Sequence, residues 1–164
     1  MIVVSDASPI IGLAAIGHLD LIRKIHKRVV IPEAVYREIA VAGGGQPGGD
    51  EVQSEDWIVT QSVSELRLIN ALKIELDEGE AEAIALAVEI NAELVLIDER
   101  RARAVAARFG LDVVGILDVL VEAKQQNLFT TLKPLLDDLI LKAGFRISEK
   151  LYKKALQDVE EKAQ

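Results

Sequence analysis

"LVLIDERRARAVAARFGLDVVG", Leu94 to Gly115, decides the fold. Leu94 to Ile97 is a short apolar run without polar alternation, the pattern of a strand buried on both faces. A helical pattern follows over about 100–109, and "DVVG", Asp112 to Gly115, is a second run of the first kind. Working outward, "IVVS" (Ile2 to Ser5), "VVI" (Val29 to Ile31) and "WIVT" (Trp57 to Thr60) repeat the strand pattern, with helical patterns around 9–24, 33–41, 64–72 and 79–91 between them. Strands and helices alternating in this way predict an α/β class chain with a central parallel sheet of about five strands, covered on both sides in three α/β/α layers.

Beyond the fifth strand the pattern is helical. "ILDVLVEAKQQNL" and "TLKPLLDDLILKAG" carry apolar residues at three-to-four spacing, with Pro134 early and Gly144 as a stop. Ser148 is the expected N-cap of "SEKLYKKALQDVEEKA". The expected organisation is one domain, 1–164, with a core over about 1–125 and a helical C-terminal extension over about 126–164. "AGGGQPGGDE", Ala42 to Glu51, reads as a mobile loop because of its five glycines and one proline.

The chain has 164 residues, half of them apolar, enough for one compact core. No run approaches the roughly 20 apolar residues that span a bilayer, and "MIVVSDASPI" has no basic leader, so a cytoplasmic location is expected. Without cysteine there are no disulfides and no thiolate metal sites. A net charge of −8 argues against a groove that grips nucleic acid by bulk positive potential. It leaves room for a nucleic acid that approaches a bound metal. Basic residues cluster in "RKIHKR" and in "ERRARAVAARFG", which hold Arg23, Lys24, Lys27 and Arg28, and Arg100, Arg101, Arg103 and Arg108.

In an open α/β sheet, function gathers beyond the carboxyl ends of the strands. Asp6 follows "IVVS" and Asp98 follows "LVLI", with Glu99 beside it. In "VVIPEAVYREIA", Pro32 fits the first helical position and Val35 and Ile39 mark the buried stripe, with Glu38 about 60° around the helix from Val35. In "LDEGEAEAIALA", Leu76 to Ala87, four acids crowd one helix start, more than a helix dipole requires. Ala81, Ile84, Ala85 and Val88 define the buried face there, and Glu80 and Glu82 flank it symmetrically, each about 100° from Ala81.

Asp6, Glu38, Glu82 or Glu80, and Asp98 are thus gathered at one rim from separate parts of the chain. An oxygen-only donor set favours a hard cation, Mg²⁺ or Mn²⁺, which suits phosphate substrates. Such ions activate water and neutralise charge during in-line hydrolysis of a phosphodiester. Imidazole could come only from His18 and His26, both in or beside the first helix, so a zinc enzyme is not expected.

The succession "VVSDASPII", "IPEAVYREI", "DEGEAEAIALA", "LVLIDERRARAVA" resembles the PIN domain, in the branch related to VapC-type toxins of toxin–antitoxin pairs. The likeness continues through "VVGILDVLVEAKQQNLF" to the tail "LKPLLDDLILKAGFRISEKLYKKAL". It implies a Mg²⁺- or Mn²⁺-dependent ribonuclease with RNA as substrate, a small antitoxin protein as partner and a homodimer. Carried over by position, Asp6, Glu38, Glu82 and Asp98 match the family's four acids, and Ser8 matches a small polar residue that helps order the site. "EAEA" also resembles a pair in flap-type nucleases where both glutamates serve metal, which makes Glu80 a second ligand candidate. Relatives often place an Asp two residues beyond the fourth-strand acid; here that position is Arg100, so Glu99 joins Asp98 as a candidate ligand. Asp118 stands where relatives of this branch carry a small residue. Arg100, Arg101 and Arg103 follow Asp98 and are the expected phosphate contacts.

Two other readings belong beside this one. A PIN scaffold that binds RNA or a partner protein needs the fold but not tight metal binding. A receiver-like phosphoacceptor also clusters Asp around Mg²⁺, but would carry adjacent acids after its first strand and a lysine after its last; Asp6 stands alone and "DVVG" ends without lysine.

Overall fold

The computed structural model describes residues 1–41 and 45–161. Its five strands, β1 (Val3–Ser5), β2 (Val29–Pro32), β3 (Ile58–Gln61), β4 (Leu94–Leu96) and β5 (Val113–Val114), form one sheet in the order β3-β2-β1-β4-β5. Every neighbouring pair is parallel. The expected α/β class and strand number are therefore those the chain adopts.

Alternate residues of each strand feed opposite cores. Val3, Val29, Ile31 and Leu96 belong to one, and Val4, Val30, Val95 and Ile97 to the other. Both sets are buried, so no polar alternation survives in the strand sequences. The first core is closed by α1 (Ala7–Ala15), α2 (Asp20–His26), α3 (Glu33–Ala40), α4 (Gly49–Ser54), α8 (Ile116–Gln125), α9 (Lys133–Leu141) and α10 (Glu149–Asp158). The second is closed by α5 (Leu66–Leu72), α6 (Glu78–Glu89) and α7 (Arg100–Arg108).

Three boundaries differ from the sequence expectation. The helix expected over 9–24 is two helices, because Gly17 takes φ +75° and the amides of Gly17 and His18 turn back onto Ala14 and Leu13. The expected loop Ala42 to Glu51 gives way to α4 from Gly49 onward, while residues 42–44 lie outside the described residues. Pro32 is the last residue of β2 and the N-cap of α3, one position earlier than expected.

The C-terminal helices are not an appendage. Leu132, Leu135, Leu136, Leu139, Ala155 and Leu156 enter the same core as Val3 and Ile10. Pro134 sits in the first turn of α9, Gly144 takes φ +70° after it, and Ser148 Oγ accepts from the Leu151 amide at 3.1 Å as the N-cap of α10. Among the described residues, no helix is long and apolar enough to cross a membrane.

The strand order places the chain reversal between β1 and β4. From β1 the chain steps outward to β2 and β3, then crosses to β4 and β5 on the other side. The register pairs Ser5 with Leu96, so the residues just after them open into the switch-point crevice where α/β sheets bind ligands.

If the extension shares one core with the sheet, Leu136→Ala, at a fully buried position, should cost about 2–5 kcal/mol and lower a single cooperative melting transition. A melt split in two, with one step at the wild-type temperature, would show that the extension folds apart.

Candidate active site

Asp6 is carried past the end of the central strand and is 5% exposed. Its amide donates to Leu96 O at 2.9 Å, and its carbonyl accepts from Ser5 Oγ at 2.8 Å. Asp6 is the N-cap of α1, yet its side chain makes no capping hydrogen bond. The third helical position is Pro9, which has no amide to offer, so one of the two donors an N-cap aspartate ordinarily uses is missing, and the other, on Ser8, is not engaged. Burial pushes its pKa up to about 7, opposed by the Ala7 amide and reinforced by Asp77, Glu80 and Glu38.

Those three acids come from α3 and the start of α6. Asp77 and Glu80 form a capping box: Asp77 Oδ1 accepts from the Glu80 amide at 2.8 Å and Glu80 Oε1 accepts from the Asp77 amide at 3.1 Å. One oxygen of each carboxylate is thereby tied to the helix and one is left over. Burial raises the pKa of Glu80, with Asp77, Glu99 and Glu38 adding to it, and burial with Asp77 raises that of Glu38. Gly79 sits among them. A Cβ there would stand 3.1 Å from Glu38 Oε1, 3.4 Å from Asp6 Oδ1 and 3.7 Å from Asp77 Oδ1. A methyl group there would touch all three carboxyl groups and press on Glu38, a closeness the sequence reading of "DEGEAE" passed over.

Glu82 is engaged elsewhere. Its Oε1 accepts from the Ala34 amide at 3.1 Å, in the first turn of α3, and its other oxygen lies 4.0 Å from Arg37. Arg37 in turn holds Glu78 at 2.8 Å. Of the two glutamates that the helical wheel could not separate, the structure sets Glu80 against Asp6 and uses Glu82 to fasten α6 to α3. Ser8, expected to order the site, is exposed, and it is Ser5 whose hydroxyl is bonded beside Asp6.

Asp98 occupies a second neighbourhood. Its Oδ1 accepts from the Ile116 amide at 2.8 Å, while Oδ2 is buried with no hydrogen-bond partner. Burial pushes its pKa up to about 6, opposed by the Ile116 amide and Arg103 and reinforced by Asp118. Gly115 makes this packing feasible, since a Cβ there would fall 2.6 Å from Arg103 Nη1 and 2.7 Å from Asp98 Oδ1. Asp118 gains a role here: its Oδ2 accepts from the Gly115 amide at 2.7 Å and lies 3.8 Å from Arg103. Glu99, offered as a ligand, is the N-cap of α7 and accepts from the Ala102 amide at 2.9 Å. Arg100 and Arg103 line a cleft of about 380 Å³ with Asp98, while Arg101 is exposed outside it.

Among the described residues, no three of Asp, Glu and His stand close enough together to hold a metal ion as their side chains lie. The chemistry of the donors nevertheless fits a hard cation. They are all carboxylate oxygens, three of them surround Gly79, and Asp98 has a buried oxygen without a partner. His18, packed edge-on against Phe129 at 6.5 Å, and His26, whose pKa burial lowers, take no part in the cluster.

The family described as PIN domain matches residues 2–161, and the chain belongs to it. PIN domains form a nuclease superfamily and generally use divalent metal ions. A PilT N-terminus domain protein from the hyperthermophilic archaeon Sulfolobus solfataricus P2 has a similar structure, with a TM-score of 0.54 and 17% identity over 75% of this chain and 93% of that one. That likeness bears on the fold alone. No curated protein matches the chain.

Asp6 holds its proton more tightly folded than unfolded, so its contribution to stability is complete below about pH 4 and is lost as pH rises to about 7. In chelator, Asp6→Asn should therefore gain melting temperature relative to wild type between pH 5 and pH 8. A difference that stays constant across that range would mean that Asp6 does not titrate in the native state. Gly79→Ala, which asks only the end of Glu38 to move aside, should remain folded in chelator, yet lose most of the stabilisation that millimolar Mn²⁺ gives wild type. Equal Mn²⁺ shifts in both proteins would remove Gly79 from the site.

Proposed function

We propose that the chain is a divalent-metal-dependent endoribonuclease that hydrolyses RNA phosphodiesters, acting in the cytoplasm as the toxin of a toxin–antitoxin pair. The observation that carries this reading is the gathering of three carboxyl groups around Gly79, where oxygens of Glu38, Asp6 and Asp77 lie 3.1, 3.4 and 3.7 Å from the place a Cβ would take. A helix start that was merely solvated would have no need of it.

Asp6, Glu38 and Glu80 would hold Mg²⁺ or Mn²⁺, with the unpartnered oxygen of Asp98 as a further donor. When bound, such a cation supplies an activated water and neutralises charge on the phosphate. Asp6 must give up its proton before its oxygens can coordinate, so metal affinity should climb as pH approaches 7. Arg100 and Arg103 would meet phosphate oxygens from the cleft side. The VapC-like resemblance adds a small antitoxin as partner and a homodimer as the working form. A second reading, a PIN scaffold that binds RNA or protein without cutting, is favoured by one observation: among the described residues the acids are not converged to metal-holding distance.

The two readings separate in one assay. Purified protein with Mn²⁺ or Mg²⁺ should cut mixed single-stranded RNA, and EDTA or Asp6→Asn should stop it; expression of wild type, but not of the variant, should arrest growth. Glu80→Gln should reduce cleavage at least about tenfold and more than Glu82→Gln, whose carboxyl serves α3. Cleavage that survives EDTA would overturn the metal mechanism, and absence of any cleavage would leave the scaffold.

A further inference from the structure

The connector between α9 and α10 returns to the rim beside Asp98. The Phe145 amide donates to Leu139 O at 3.0 Å, fixing the turn out of α9. The Phe145 ring then lies over Gly12 of α1, where a Cβ would come within 2.6 Å of Phe145 Cε1 and 2.8 Å of Ile116 Cδ1. The missing side chain at Gly12 is what lets the ring seat. With Phe145 held, Arg146 and Ile147 reach the cleft that Asp98, Arg100 and Arg103 line from the other elements.

The charges in this cleft are not equally occupied. Arg103 donates to Ile97 O at 3.2 Å and lies 3.8 Å from Asp118. Arg100 and Arg146 make no ion pair among the described residues and are exposed. Beside them Phe145, Ile147 and Leu151 form an apolar wall. Two unpaired guanidinium groups next to an apolar surface suit a ligand that alternates anionic and flat apolar groups, which is the chemistry of a single nucleic-acid strand. The net charge of −8 does not forbid this. At physiological ionic strength charges are screened beyond about 8 Å, so the cleft's own lining decides, and there Arg100, Arg103 and Arg146 stand against Asp98 and Asp118.

We propose that the cleft is a subsite for single-stranded RNA, in which Arg100 and Arg146 hold backbone phosphates away from the bond that is cut and the apolar wall receives a base. Its place in catalysis rests on the nuclease reading of the acid site. Its existence does not, because binding can be measured without cleavage. The C-terminal extension then belongs to the binding machinery, with Gly12 and Phe145 acting as positioning residues for Arg146.

The test is fluorescence anisotropy of a labelled oligouridine in EDTA, across a salt series. Arg146→Ala and Arg100→Ala should each weaken binding roughly fivefold to tenfold at low salt and reduce the slope of log affinity against log salt by about one. Arg28→Ala removes the same charge just before β2, at the opposite ends of the parallel strands, and should leave both quantities unchanged. Equal weakening by all three variants, no weakening by any, or no RNA binding by wild type would overturn the subsite. Arg146-dependent binding in a protein that cuts no RNA with Mn²⁺ would sustain the subsite and remove the nuclease reading. Cleavage accompanied by Arg146-independent binding would do the reverse.

Discussion

The carboxyl groups of Asp6, Glu38, Asp77 and Glu80 share a region in which the charges acting on Asp6 are all of its own sign. Such crowding is unfavourable, and the surrounding structure can be read as the means of sustaining it. Asp6 is held by β1, the strand with two neighbours on either side, and by a backbone bond to β4. Asp77 and Glu80 are held by the capping box that also starts α6. Glu38 rides on α3, and α3 is fastened to α6 twice, by Glu82 at the Ala34 amide and by Arg37 on Glu78. Each contact is ordinary helix chemistry. Together they hold acids that would otherwise separate.

How much of this was legible varied with how local the determining contact is. The five strands could be read because burial on both faces leaves an unbroken apolar run. Asp6 and Asp98 could be read because a strand end in a parallel sheet is a place defined by sequence alone. Glu80 and Glu82 were equivalent on the helical wheel, and what separates them is the position of α3, which lies 48 residues from Glu82 along the chain. Gly17 ends α1 within a run whose apolar spacing continues, so the break is set by backbone conformation and not by pattern. Arg146 was out of reach for a similar reason, since its place depends on Phe145 finding Gly12 across the fold.

Asp6 and Asp98 leave adjacent strands but serve different surroundings. Around Asp6 the partners are carboxylates; around Asp98 they are the start of α8, Arg103 and Asp118. The two departures from the family pattern, Arg100 and Asp118, both fall in the second surroundings. Asp118 closes the start of α8 and lies against Arg103, while Arg100 adds positive charge to the cleft. In this reading the departures strengthen the binding side of the rim without weakening the acid side.

The sheet order also ranks the parts of the molecule by how easily they open. β1 lies between β2 and β4, so freeing it means parting the sheet at its centre, and the segment that leads into Asp6 belongs with the last parts to open. The connector bearing Arg146 is joined to the rest through the half-buried side chains of Phe145 and Ile147 and the backbone bond from Phe145 to α9, fewer ties than hold the sheet, so it is expected to open more readily. On the function proposed above, warming short of the melting point would therefore loosen the outer wall of the cleft while the acids are still held in register, so that grip would fade before chemistry.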